Sequence, residues 1–264
     1  MTKTLPDQIA DLLLALIYIG DIAAHEKLPP ERQLAQLLDV DRTSLRMALR
    51  MLGRMNAIQV QQGSGIRVAD IQQDMGLDFL DNLYRIPELN LGGHLLLSGL
   101  DLFNRAVPTA IRMAIEQVGL PQQTGVSEHV KGLFSGLAAG ENHRQLAQRE
   151  VALIDTILIA TQNPVLRAAA VSSRSIRIQV THTLYGMIDV SEHYQAMVSL
   201  LRRTRSEQAN INQVILDYQT YIDDLTQPLQ AYFMNIPAEP SLRSSPLQNG
   251  RNIVSLKACL AERA

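Results

Sequence analysis

Regularly spaced arginines are the residues whose type and pattern most clearly offer chemistry in this sequence. Arg42, Arg46, Arg50 and Arg54 recur every four residues, and on a helix this spacing places them along one side. A guanidinium donates paired hydrogen bonds to a phosphate or to the O6 and N7 atoms of guanine. Such a row is by itself typical of a solvated helix face, so its meaning depends on the elements that carry it.

The elements around these arginines predict a winged helix-turn-helix. Apolar residues at helical spacing indicate a first helix over 9–17, and a short second helix begins at Pro30. A third helix follows Asp41, which stands at an N-cap position. Glycines at 63 and 65 then separate two short β segments, IQVQQ and IRVAD. Helix, helix, turn, helix and ribbon in this order are typical of a DNA-binding domain.

The charge distribution favours the same interpretation. From Lys27 to Arg67 there are seven basic and three acidic residues, a local net charge of +4 in a chain whose net charge is −2. Basic charge concentrated on one small domain is what contact with DNA phosphates requires. The overall balance excludes a wholly basic protein, so double-stranded DNA is the expected partner of one domain only.

Composition excludes several other classes. Hydrophobic residues make up 46% of the 264 residues and aromatic residues 4%, which indicates a globular protein with an aliphatic core. A single cysteine, Cys259, excludes an internal disulfide and a cysteine-rich zinc site. There is no GxSxG or HExxH motif and no apolar run of 18 residues. We therefore expect neither an enzyme nor a membrane protein, and we expect a cytoplasmic location.

The expected fold class is mainly α, in two domains. Residues 1–70 are predicted to form the winged helix-turn-helix with its small β-ribbon. Residues 71–235 show helical periodicity throughout and are predicted to form an all-α bundle. Residues 236–264 are rich in Pro, Ser and Asn and are predicted to form a flexible tail.

The segment LPPERQLAQLLDVDRTSLRMALRMLGRMNAIQVQQGSGIRV resembles the GntR family of bacterial transcription regulators, over about residues 6–70. The whole chain resembles the FadR subgroup in plan, through DMGLDFLDNL, FNRAVPTAIRMA and IDTILIATQNPVL. The resemblance implies a homodimer that binds a palindromic operator, with a second domain that dimerises and binds a small-molecule effector. A winged helix that serves only as a protein-interaction module is the alternative.

The resemblance implies DNA contacts on the second and third helices. Arg32 is expected to contact a phosphate or a base, and Arg42 and Arg46 are expected to read the major groove. Thr43 and Ser44 are expected to contact phosphates or base edges. For these two residues, capping of the first helical turn is the alternative.

The resemblance also places Gln62 and Gly63 at the tip of the wing, against the minor groove or the DNA backbone. The chain departs from the family pattern at three positions. Asp39 and Asn56 replace glycines at turns where positive φ is expected, which Asp and Asn tolerate better than most residues. Asp41 replaces Ser or Thr and can cap the helix, but it cannot donate to a phosphate.

Many GntR regulators with this second domain bind a metal through one Asp and three His. The Asn-Pro at 163–164 sets the register, and the four ligand positions fall on Glu150, Ile154, His193 and Ile215. Two ligands do not make a transition-metal site, so we expect no metal and no cofactor.

The same register places Phe103 where related proteins carry an Arg that pairs with an organic acid. Apolar residues at Phe103 and Ile154 favour an apolar cavity, and a long-chain acyl-CoA is the leading effector because the FadR subgroup includes metal-lacking members with that ligand. A different metabolite, such as an organic or sugar acid, and a pocket filled as core are the alternatives. Arg177, Tyr185 and His193 are further candidates for the pocket. Arg177 falls on a predicted long helix after 163–164, in a basic stripe that more often pairs with acidic neighbours.

Overall fold

A computed structural model describes residues 3–61, 65–74, 76–118, 124–204, 210–247 and 256–259 of the chain. It divides into two compact units, Met1–Gly92 with Pro237–Ala264, and Gly93–Ile236. The units meet in the chain after Gly92 and after Ile236, whereas the sequence predicts domain boundaries after residues 70 and 235.

Three helices make the body of the first unit: α1 Leu5–Tyr18, α2 Glu31–Leu38 and α3 Arg42–Arg54. Thr4 begins α1 with a capping box, in which its side chain and that of Asp7 each accept from the other's backbone N–H. Leucines from all three helices meet in a core from which water is excluded, including Leu13, Leu16, Leu34, Leu45 and Leu52. Burial of these aliphatic side chains is the main force that holds the three helices together.

The turns on either side of α3 have the predicted geometry. Asp39 ends α2 in the left-handed conformation with φ of 51°, and Asn56 follows α3 with φ of 57°. Asp41 caps α3, and its Oδ1 accepts from the backbone N–H of Ser44 at 2.8 Å. Local residue types therefore set the helix-turn-helix geometry.

The predicted ribbon is confirmed as an antiparallel pair, β1 Ile58–Gln61 and β2 Gly65–Val68. A segment that the sequence did not predict to pair with β2 lies beside it and forms an isolated antiparallel bridge between Lys27 and Arg67. His25 N donates to Val68 O at 3.0 Å, and Leu28 N donates to Ile66 O at 2.9 Å. The wing is therefore anchored by backbone that precedes α2.

The first unit extends beyond residue 70 because the next elements pack onto it. These are α4 Ile71–Asp74, α5 Leu77–Tyr84 and β3 Leu89–Asn90. Phe79 and Leu83 on α5 are buried. The Tyr18 hydroxyl of α1 donates to Leu91 O at 2.8 Å. Both observations place these residues with the winged-helix unit and not with the helical bundle.

Parts of the segment predicted to be a flexible tail pack within the first unit, over the described residues 237–247 and 256–259. β4 Ser241–Leu242 pairs antiparallel with β3, and Arg243 N donates to Glu88 O at 2.8 Å. Leu247 and Leu256 are buried, and Lys257 forms an ion pair with Asp21. This packing has a simple cause: apolar residues in the Pro- and Ser-rich segment, such as Leu247 and Leu256, are removed from water there.

The second unit is all-helical, as predicted. It consists of α6 Gly93–Val118, α7 Thr124–Ala138, α8 His143–Ala160, α9 Pro164–Ser172, α10 Arg174–Tyr185, α11 Val190–Arg203 and α12 Ile211–Met234. Helix α8 packs against α6, α7 and α10, so it is central to the bundle. Within the described ranges, no helix is both long enough and apolar enough to span a bilayer.

The long helix predicted after 163–164 is broken into α9 and α10. The break lies at Ser173, whose φ and ψ are −96° and 5° and whose Oγ donates to Ala169 O at 2.8 Å. A serine hydroxyl that bonds its own backbone competes with the helical hydrogen-bond pattern. The break places Arg177 on α10, three residues after that helix begins.

Candidate functional site

Helix α3 presents its polar side to solvent. Arg42, Thr43, Arg46 and Arg50 are exposed. The opposite side is buried against α1 and α2 through Leu45, Ala48, Leu49 and Leu52. The arginine row therefore stands on a helix whose orientation is held by its own core, as contact with a DNA groove requires.

The first residue of this row lies close to α2. Arg32 and Arg42 line the same groove, together with Gln36, Asp39 and Asp41. Arg32 and Arg42 are both exposed. The structure thus brings together two of the residues assigned to DNA, and it places two carboxylates beside them.

Ser44 has a structural role in addition to its assigned contact. Hydrogen bonds from its side chain and its backbone N–H lower the pKa of Asp41, which is consequently ionised at the N-terminus of α3. Ser44 is half-buried, whereas Thr43 is exposed. The geometry favours the capping alternative for Ser44 and leaves Thr43 accessible to a ligand.

An acidic partner of Arg46 was missed by sequence reasoning. Glu31, the first residue of α2, accepts from Arg46 Nε at 3.2 Å and from Nη2 at 2.8 Å through the same Oε2 atom. The two residues are 15 positions apart. No local spacing rule links them, so only the packing of α2 on α3 reveals the pair.

The wing adds two basic side chains, Lys27 and Arg67, which entered the sequence analysis only through the local net charge. Lys27 lies opposite Arg67 of β2 in an isolated backbone bridge, and both side chains are exposed. Arg67 Nη1 donates to His25 O at 3.0 Å. The predicted wing-tip residues Gln62 and Gly63 lie outside the residues that the structure describes.

In the second unit, the two surviving ligand-type residues meet in a buried polar cluster. Glu150 Oε2 accepts from His193 Nε2 at 3.0 Å and from the Tyr185 hydroxyl. His193 Nδ1 is hydrogen-bonded to the Tyr221 hydroxyl at 2.7 Å. The Glu150 and His193 side chains are 13% and 3% exposed. We call Glu150, Tyr185, His193 and Tyr221 the polar cluster.

The polar cluster keeps its carboxylate ionised. Burial raises the pKa of Glu150, but the charge of His193 and hydrogen bonds from His193 and Tyr185 outweigh it, so its pKa lies below its ordinary value. Burial raises the pKa of the Tyr185 hydroxyl, which therefore stays protonated and donates. Each side chain of the polar cluster is hydrogen-bonded to another member, as buried polar groups usually are.

The positions of the two lost ligands are apolar and nearly filled. Ile154 and Ile215 line a cavity of about 20 Å³ together with Ile111, Ile157, Met197 and Tyr218. A water needs roughly 10–15 Å³, so the space holds about one water. Over the described part of the chain, no three His, Cys, Asp or Glu residues are grouped to hold a metal ion.

The remaining pocket candidates do not line this cavity. Phe103 is partly buried and packs against the core of the bundle. Arg177 is buried, and its Nη2 donates to Asp155 Oδ1 at 2.6 Å and to Ala170 O at 2.7 Å. Arg174 bonds the other oxygen of Asp155 at 2.9 Å. The predicted pocket residues therefore do not line one cavity: Tyr185 and His193 belong to the polar cluster, and Arg177 belongs to an ion pair.

The winged helix-turn-helix places the first unit in a class of domains whose second helix of the motif docks in the DNA major groove. Residues 5–68 match the family model described as bacterial regulatory proteins of the gntR family. The first unit therefore carries a GntR-type DNA-binding domain.

Individual proteins show the same likeness. HTH-type transcriptional regulator Mce2R of Mycobacterium tuberculosis is 31% identical over 116 residues, 44% of this chain and 48% of that protein. A fatty acid metabolism regulator protein of Yersinia enterocolitica is 32% identical over 125 residues, 42% of this chain and 52% of that protein. The chain thus spans about half the length of these curated relatives.

A solved structure extends the likeness in fold to most of the chain. Lar, which controls expression of the Listeria monocytogenes agr system, aligns over 88% of this chain and 98% of its own, with a TM-score of 0.52 and 17% identity. At this identity the likeness concerns the fold alone.

Proposed function

We propose that the protein is a transcription regulator that binds a palindromic DNA operator as a homodimer in the cytoplasm. The observation that carries the proposal is the exposed arginine row of α3, on a domain that matches the GntR family over residues 5–68. Arg32, Arg42 and Arg46 supply guanidinium groups for phosphates and guanine edges, and Lys27 and Arg67 supply positive charge on the wing.

A homodimer follows from the energetics of groove reading. One recognition helix reaches only a few base pairs, and two helices on a palindrome combine their discrimination. In such dimers the half-sites lie about 34–36 Å apart. The spacing of the two α3 helices would then decide whether both fit the operator.

The second unit is proposed to respond to an effector, with a long-chain acyl-CoA as the first candidate. An aliphatic interior around Ile154 and a relative that regulates fatty acid metabolism support this choice. A cavity of about 20 Å³ does not admit an acyl chain unless α8, α11 and α12 move apart. Binding would favour an opened arrangement only through its higher affinity for it.

Fluorescence anisotropy tests the DNA-binding step. Labelled DNA from upstream of the protein's own gene is titrated at several salt concentrations, against a scrambled duplex of the same composition. Binding should weaken steeply as salt rises. Arg46→Ala should lower discrimination by about 1–3 kcal/mol, whereas Arg105→Ala, an exposed arginine of the second unit, should leave it unchanged. An affinity for partner proteins without a salt-dependent DNA affinity would favour the protein-interaction module.

The effector step needs a separate titration. Palmitoyl-CoA is added to the protein–DNA complex, with coenzyme A as the control. Release of DNA by palmitoyl-CoA alone would support the acyl-CoA proposal. Release by an organic or sugar acid instead would replace it with a small-metabolite effector, and no response to any of them would indicate that the interior is simply core.

A further inference from the structure

The pair formed by Arg46 and Glu31 joins the proposed recognition helix to the helix before it. Glu31 is the first residue of α2, and Arg46 lies in the second turn of α3. The side chains are 33% and 52% exposed. This contact is at the surface, so it contributes little to stability. Its main effect is on the orientation of the Arg46 side chain.

Glu31 binds one edge of the guanidinium and leaves the other edge free to act. Its Oε2 accepts from both Nε and Nη2. A guanidinium has five N–H donors in a rigid plane. Nη1 and the second hydrogen of Nη2 therefore point away from the carboxylate as a fork, which matches the O6 and N7 acceptors of guanine.

The carboxylate is itself held in place. Residue Glu31 lies in the first turn of α2, where a negative charge is favourable. Leu34 of α2 and Leu45 of α3 are both inaccessible to water, and they keep the two helices in register. The free protein thus holds Arg46 in one direction, which reduces the side-chain freedom lost on binding.

We infer that Glu31 is a positioning residue that makes Arg46 selective for a base edge over a phosphate. This inference rests on the proposed DNA binding. A carboxylate at this point repels phosphates and orients the guanidinium, so it lowers affinity for any DNA while it raises discrimination between sequences. A residue that only stabilised α2 would alter both affinities in the same direction.

The probes are two duplexes, one selected by the wild-type protein from random-sequence DNA and one of the same composition in scrambled order. Dissociation constants for both are measured over a range of salt with wild type, Glu31→Ala and Glu31→Gln. Glu26→Gln is the matched control, because it removes one negative charge of the same unit while its amide oxygen can still accept from Ala23 N. Circular dichroism verifies that each variant is folded.

We expect Glu31→Ala to bind the scrambled duplex more tightly and to lose roughly five- to tenfold in the ratio of the two affinities. The salt slope on scrambled DNA should steepen by about 0.9, the value of one added phosphate contact. Glu31→Gln keeps an acceptor and should retain part of the ratio, and Glu26→Gln should shift both affinities alike. In an Arg46→Ala background, Glu31→Ala should no longer change the ratio.

The results that overturn the inference are equally specific. An unchanged ratio in Glu31→Ala would show that Glu31 does not position Arg46, and an equal loss in the Arg46→Ala background would show that Glu31 acts elsewhere. If the wild-type protein selects no sequence from random DNA, the proposed function itself fails, and the inference fails with it. These failures are distinct, because only the last is seen with the wild-type protein.

Discussion

Removal of the imidazole from the polar cluster is the most informative perturbation of the second unit. In His193→Leu, Glu150 keeps its bond from Tyr185 but loses the hydrogen bond from the imidazole at 3.0 Å. The carboxylate stays buried, since its side chain is 13% exposed and leucine fills the place of the ring. A buried charge without its partner is strongly unfavourable.

The expected cost is about 3–5 kcal/mol, the range for a buried ion pair from which one partner is removed. For a unit of this size the corresponding fall in melting temperature is about 2–4 °C per kcal/mol. The double substitution Glu150→Leu with His193→Leu removes the carboxylate and the imidazole together and should recover most of the loss, because apolar replacements of a whole buried pair are often neutral.

Differential scanning calorimetry of the full chain measures these changes, since two units can melt in two transitions. The transition of the second unit should fall in His193→Leu and recover in the double variant. Equal losses in both would show that packing of the ring, and not the charge, stabilises the bundle. No loss in the single variant would refute a structural role for the pair.

The same cluster predicts how stability depends on pH. The pKa of Glu150 is lower in the folded state than its ordinary 4.5, so ionisation favours folding. This contribution is complete above about pH 4.5 and is lost as pH falls through the lowered pKa of the folded state. Glu150→Gln should flatten the acid limb of a stability profile measured by urea unfolding, and an unaltered limb would contradict the assignment.

Three further outcomes are expected. Asp39→Ala should lower stability by about 1 kcal/mol, because alanine tolerates the left-handed conformation less well than aspartate, and Asp39→Gly should not; urea unfolding measures both. Leu247→Ala should lower the stability of the first unit by about 2–3 kcal/mol, measured by its melting transition, since removal of a buried leucine side chain leaves a cavity; an unchanged transition would favour the prediction of a flexible tail. Ile154→His with Ile215→His should create Zn²⁺ affinity, measured by calorimetry, because ligand-type residues would then stand at all four positions of the family's metal-binding pattern; wild type is the control.

Much of the geometry of the proposed DNA-binding surface could be predicted because its determinants are local. The spacing of Arg42 and Arg46 and the cap at Asp41 depend on residues within one or two helical turns. The left-handed turns at Asp39 and Asn56 depend on single side chains. Periodicity likewise predicted the helices of the second unit, though not the break at Ser173, where a hydroxyl bonds its own backbone.

What the sequence by itself determined was the class of each element and the type of chemistry on its surface. Tertiary structure decided which distant residues meet: Glu31 with Arg46, Glu150 with His193, and β3 with β4. The physical reason is that local backbone preferences act over a few residues, whereas these contacts join segments that only the burial of apolar side chains brings together. Packing of apolar side chains in the bundle likewise leaves only a small cavity beside Ile154.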